Sequence, residues 1–152
     1  ILGAIIFFAT NFSYSNRFLT FEHELTHAIF CFLTFKSNIR IDMNPPEVGA
    51  MGMCRYTGGT NWLISISPYF FPTLTIFISL LYLLPINDFY PLLDICIGFS
   101  LAYHLKTNYM EFVVNMRPAS SSDTQRAGRI FSLIVIPILN LIVFSIIFRL
   151  IA

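Results

Sequence analysis

Hydrophobic residues gather in five blocks separated by polar connections: Ile1–Ala9, Phe18–Phe35, Trp62–Leu84, Phe89–Leu105 and Ile130–Ile151. An α-helix rises 1.5 Å per residue, so about 20 residues cross a hydrocarbon core. The last four blocks reach or approach that length. The first is short enough to be the remnant of a longer span. Pro68 and Pro72 interrupt the third block. Ser67-Pro68 reads as an N-cap and first helical position; alternatively, the prolines kink one longer helix. Pro85-Ile86-Asn87-Asp88 makes a tight turn before the fourth block.

Two connections break the helical pattern. Lys36–Thr60 contains Pro45-Pro46, Gly49, Gly52, Gly58 and Gly59, and the alternating run Ile39-Arg40-Ile41-Asp42-Met43. That period of two predicts a β-hairpin over Ile39–Tyr56. Lys106–Arg129 is polar and holds a Ser120-Ser121-Ser122 tract before Asp123.

Composition turns these helices toward lipid. Hydrophobic residues make up 56% of the 152 residues and charged residues 11%. Soluble domains carry about 25% charge. A mean hydropathy of +0.72 agrees. The expected fold is one all-α integral membrane helix bundle over residues 1–152, with four to five transmembrane helices and a small β-hairpin. The chain begins with Ile1, so a preceding segment is left open. A net charge of +1 gives no support to nucleic-acid binding. Cys31, Cys54 and Cys96 form no CxxC pair, which suggests neither a thiolate metal site nor a disulfide framework.

Basic residues suggest an orientation. With the spans alternating from Phe18, one side receives Lys36, Arg40, Arg55, Lys106, Arg117, Arg126 and Arg129; the other receives Arg17 and Arg149. The positive-inside tendency makes the two long loops cytoplasmic.

The chemistry lies in His23-Glu24-Leu25-Thr26-His27. Histidines four apart share one helix face, and two imidazole nitrogens can reach one Zn²⁺ at about 2.0–2.1 Å. Glu24 stands beside them as a base for a water acidified by the ion. Two of the three histidines of the chain fall in this run. Ionisable groups within a membrane are costly and point to function.

The segment Phe21-Glu22-His23-Glu24-Leu25-Thr26-His27-Ala28 resembles the zinc helix of site-2-protease-like intramembrane metallopeptidases. In that family a β-hairpin on the cytosolic side follows, then a proline-containing span. Lys36–Thr60 and Ser65–Pro72 occupy those places, so the resemblance runs from Phe18 to Leu84. It implies zinc-dependent cleavage of a membrane-anchored polypeptide, with His23 and His27 as ligands and Glu24 as catalytic base.

The family completes its site with a downstream Leu-Asp-Gly, which this chain lacks. Three residues compete for that place. Asp123, at the entry to the last helix and on the side where the family's cleft opens, ranks first. Asp94 matches the depth of His23, and His104 ends the same block. Glu22 is a candidate partner for a histidine N–H. Glu111 reads as solvated, and Asn140 as an inter-helix hydrogen-bonding residue ahead of one that orients substrate. Thr20, Thr26 and Thr34 could line a polar cleft or bond their own backbone. The rival readings are a prenyl-protein peptidase with a glutamate ligand, a membrane scaffold or transporter with a metal site, and a catalytically degenerate peptidase.

Overall fold

The computed structural model describes residues 1–10, 12, 15–45, 51–115 and 123–151. Helix α1 (Leu2–Ala9) leads to α2 (Asn16–Leu33), which carries the histidine run. The Ser15 hydroxyl caps α2 by accepting from the Phe18 N–H, satisfying one of the orphan donors of the first turn. Strands β1 (Ser37–Met43) and β2 (Gly52–Thr57) follow. Then come α3 (Trp62–Phe70), α4 (Thr73–Ser79), α5 (Tyr90–Asn115), α6 (Asp123–Ala127) and α7 (Arg129–Ile151). Short 3-10 turns at Leu80–Leu83 and Asn87–Phe89 join α4 to α5.

The hairpin is where alternation places it. β1 and β2 pair antiparallel, with Ile41 opposite Cys54 and Asp42 opposite Met53. Asp42 and Arg55 bridge the strands at 2.7 Å. Pro46 and the Ser120–Ser122 tract lie outside the described residues.

Two expectations about boundaries change. Ser67-Pro68 does not open the third helix: Asn61 is its cap, accepting from the Ile64 N–H at 2.9 Å, and Pro68 sits inside α3. The break comes at Phe71-Pro72 instead. The helix read as Phe89–Leu105 continues to Asn115. Its added turns carry Lys106, Asn108 and Glu111, polar residues that sustain a helix once one face has partners.

Helix α1 packs tightly on α5. A Cβ on Gly3 would lie 1.9 Å from the Ile95 carbonyl oxygen, so only glycine permits this crossing. Gly98 faces Gly3 across it. Small residues that let helix backbones touch are the packing device of membrane helices. A second core joins Phe30 of α2, Ile66, Tyr69 and Phe70 of α3 and Ile136 of α7.

Polar side chains share the interior with the apolar core, and large apolar side chains cover much of the exterior. Thr26, Ser67, Thr73, Thr75, Ser100 and His104 are buried. Ile134, Leu141 and Ile146 on α7, and Leu83 beside α4, are at least half exposed. Among the described residues, one helix, Arg129–Leu150, is long and apolar enough to cross a membrane. The segments Trp62–Phe70 and Thr73–Leu83 pass the same test as one span bent by 67°. The expected set of four to five such spans is therefore reduced on this criterion. Arg17, Glu22 and Glu24 dilute α2, and Asp94, Lys106 and Glu111 dilute α5.

Candidate metal centre

His23 and His27 occupy the same face of α2, and their ring centroids are 4.9 Å apart. Helix α6 brings Asp123 to them across a hundred residues of chain. Asp123 Oδ2 lies 3.4 Å from His23 Nε2 and 3.4 Å from His27 Nε2. The three ligand atoms all fall within 4.8 Å of one another. Those contacts are long for charge-assisted hydrogen bonds, which run about 2.7–2.9 Å. They match the edges of a tetrahedron around an ion with ligands about 2.0–2.1 Å away, which are about 3.3–3.4 Å.

The opposite nitrogens of both rings are engaged. His23 Nδ1 stands 3.0 Å from Glu111 Oε2. His27 Nδ1 stands 2.8 Å from the carbonyl oxygen of Ile64. A carboxylate and a carbonyl are acceptors, so each ring donates from Nδ1, which leaves Nε2, the atom facing Asp123, as the one that would bind an ion in place of a proton. This is the outer support that metal-ligating histidines usually have. Glu111 sits on the far side of the His23 ring from Asp123, so it orients that ring and cannot share an ion bound at Nε2.

The Ile64 carbonyl is available to His27 because of Pro68. In an α-helix the acceptor at Ile64 would bond the N–H four residues on, and proline has none. The freed oxygen accepts from His27 and also from the Ser67 hydroxyl, at 2.9 Å. A second carbonyl of α3 is freed by the break at Pro72. Thr73 N–H turns back to Phe71, leaving the Tyr69 carbonyl to accept from Asn108 and Asn140, both at 2.8 Å.

Asp123 is partly exposed, and Arg126 lies 3.9 Å away. Burial alone would raise its carboxyl pKa. Hydrogen bonds and charge attraction from His23 and His27 outweigh burial and hold it well below the usual carboxylate range. It is therefore an anion, as a carboxylate that ligates a cation must be. Gly128, with φ of 104°, supplies the left-handed turn between α6 and α7 and sets Asp123 on its own short arm.

The other candidates are elsewhere. Asp94 is exposed and takes the Tyr82 hydroxyl. His104 is buried beside Phe144, with Nε2 at 2.8 Å from Asn108 Nδ2. Glu22 faces the Tyr103 hydroxyl at 3.5 Å instead of a histidine. Glu111 is not simply solvated; it was missed because α5 was expected to end ten residues earlier. Its signal was the absence of glycine and proline from Lys106 to Asn115. Thr26 and Thr34 donate to the carbonyls of Glu22 and Phe30, the local bonding typical of such residues.

Glu24 is partly buried, and its side chain borders the hairpin. A Cβ on Gly52 would fall 2.5 Å from Thr20 Cγ2 and 3.0 Å from Glu24 Cγ. The start of β2 therefore rests directly on the turn of α2 that holds Glu24.

Compared with protein-family models, curated proteins and solved structures, the chain shows no significant match.

Proposed function

We propose that this chain is a membrane-embedded zinc metallopeptidase acting on membrane-anchored polypeptides, with His23, His27 and Asp123 as the metal ligands and Glu24 as the base. The observation that carries this reading is the convergence of two Nε2 atoms on one Asp123 oxygen, 3.4 Å from each. Both Nδ1 atoms are held from behind. A chance cluster of polar side chains needs neither an acceptor behind each ring nor edges of this length. Two imidazoles and one carboxylate form a donor set that suits zinc and leave a fourth position open.

When bound, zinc acidifies a water and polarises a carbonyl, the chemistry that peptide hydrolysis requires. The remaining steps belong to the chain. Glu24 takes a proton from the attacking water and returns it to the departing amine. Glu111 and the Ile64 carbonyl keep the two rings aimed. Asp123 contributes negative charge that balances the cation.

A lipid setting is supported by the many exposed large apolar side chains and by α7. Helix α2, the bent pair α3–α4, α5 and α7 make four spans, or five with α1; the two long connections then face the cytoplasm. Lipid solvates the apolar exterior, and the hydroxyls and amides inside satisfy the backbone that the prolines free.

The test is metal content of the full chain purified in detergent, together with cleavage of a quenched-fluorescent transmembrane peptide. Wild type should hold one zinc per chain and His23→Ala none. Glu24→Gln should keep its zinc and lose turnover by about 10²–10⁴-fold. Zinc retained in both His23→Ala and Asp123→Ala would remove the metal site. Full activity of Glu24→Gln would remove the peptidase.

A further inference from the structure

Two thiols far apart in sequence meet where the hairpin folds back on the histidine helix. Cys31 lies on α2 one turn beyond His27, fully buried in the core that holds Phe30, Ile64 and Ile66. Cys54 lies in β2, opposite Ile41 of β1, and packs against that same core. The two thiols are hydrogen-bonded to each other, and neither is in a disulfide. Thiols in such contact are the starting point for a disulfide, whose sulfurs are about 2.0 Å apart.

This joint lies beside Glu24. Residues seven apart on a helix share a face, so Cys31 stands two turns along α2 from Glu24. Strand β2 covers that face. Gly52 rests on it at one end, with no room for a methyl group against Thr20 and Glu24. Cys54, two residues on, meets Cys31. Nothing fits between the start of β2 and Glu24 while the strand stays seated, so a ligand that reaches Glu24 from the hairpin side must first displace it.

The two thiols differ in access. Cys54 is half-buried and open to a small reagent. Cys31 has no exposed surface, so it is reached through Cys54. Burial, with the neighbouring Cys31 and Glu24, pushes the Cys54 thiol up to about 12. The thiolate is the reacting form, so exchange is slow at neutral pH and the pair rests reduced in a reducing compartment.

We propose that Cys31 and Cys54 are an oxidisable pair that staples β2 to the histidine helix. The oxidant is a low-molecular-weight disulfide. The Cys54 sulfur attacks it, forming a mixed disulfide and releasing one small thiol, which takes up the Cys54 proton. The Cys31 sulfur then attacks the Cys54 sulfur, forming the intramolecular bond and releasing the second small thiol with the Cys31 proton. Two protein thiols are oxidised, and one small disulfide is reduced to two thiols. The bond holds β2 over Glu24. Its effect on turnover rests on the peptidase reading; the bond itself does not.

The experiment uses zinc-loaded full chain in detergent, carrying Cys96→Ala so that the pair holds the only thiols. After incubation with oxidised glutathione at mildly alkaline pH, intact mass should show the loss of two hydrogens and no retained adduct, and digestion should give a Cys31–Cys54 linked peptide. Amide exchange over Gly52–Thr57 should slow about tenfold. Cleavage of the quenched-fluorescent transmembrane peptide should slow about tenfold as well, with zinc content unchanged and both rates restored by dithiothreitol. Cys54→Ser in the same background should show neither slowing. Thiols left unmodified, or a glutathione adduct that persists on Cys54, would overturn the pair. A bond that leaves exchange in β2 unchanged would overturn the staple, and a bond that slows exchange while cleavage runs at full rate would overturn its control of the site. Failure of the untreated protein to bind zinc or to cleave ends the peptidase reading, while mass and exchange still judge the bond.

Discussion

Two freed carbonyls of α3 invite comparison. Ile64 loses its helical partner to Pro68, and Tyr69 loses its own because the helix breaks at Pro72 and the Thr73 N–H turns back to Phe71. Either oxygen, buried and unmet, would cost about 1–3 kcal/mol. The two are answered differently. Ile64 receives an imidazole, and its bond fixes the tautomer of a candidate metal ligand. Tyr69 receives two carboxamides, and its bonds fix the orientation of Asn140 beside a cavity. The same backbone defect thus serves a charged centre at one end of a short helix and an apolar one at the other. The lesson is that a proline in a buried helix can act as a donor-recruiting device as well as a kink.

The sharpest way to break this comparison is at the metal end. His27→Ala should remove bound zinc entirely, seen as loss of metal in the purified protein, with Ile64 falling back on Ser67. Next in size is the support of the other ring. Glu111→Gln keeps an acceptor but loses its charge, and zinc affinity measured by chelator competition should fall about tenfold, the low end for such partners. Unchanged affinity would mean that Glu111 does not orient His23. Smaller again is Pro68→Ala. It gives Ile64 a helical N–H that competes with His27, and zinc should bind about threefold weaker; tighter binding would contradict the assigned role of the proline. At the cavity end, Asn108→Ala leaves Tyr69 with one donor. It should cost about 1 kcal/mol of stability with zinc affinity unaltered. A parallel loss of zinc would show that the two ends are not separable.

Some of this was legible from the chain. The His23–His27 spacing needed only helical geometry, and the hairpin followed from alternation at Ile39–Met43. Asp123 could be placed by its position before the last helix, although a helix-capping role reads identically in sequence. Glu111 could not be placed, because Lys106, Asn108 and Glu111 resemble a solvated loop unless their neighbours are known. Pro68 was legible as a disturbance, but whether it starts a helix or sits within one depended on the competing cap at Asn61. The partners of freed carbonyls are long-range: His27 is 37 residues from Ile64, and Asn140 is 71 from Tyr69. No local pattern encodes them. Of the expected spans, one helix and one bent pair pass on length and apolarity among the described residues, because the other apolar blocks of spanning length carry charges such as Glu24 and Asp94.

Asp123 reaching back a hundred residues to His23 has a consequence for how the molecule holds itself shut. A cation gripped there is a removable rivet joining the short arm before Gly128 to the histidine helix. Only the folded chain assembles all three ligands, so uptake of the ion doubles as a gauge of tertiary closure. At a hundredfold excess over its dissociation constant, such an ion adds about 2.7 kcal/mol to the folded state. A chelator should therefore lower the melting temperature of the wild type by several degrees and leave that of Asp123→Ala where it stands.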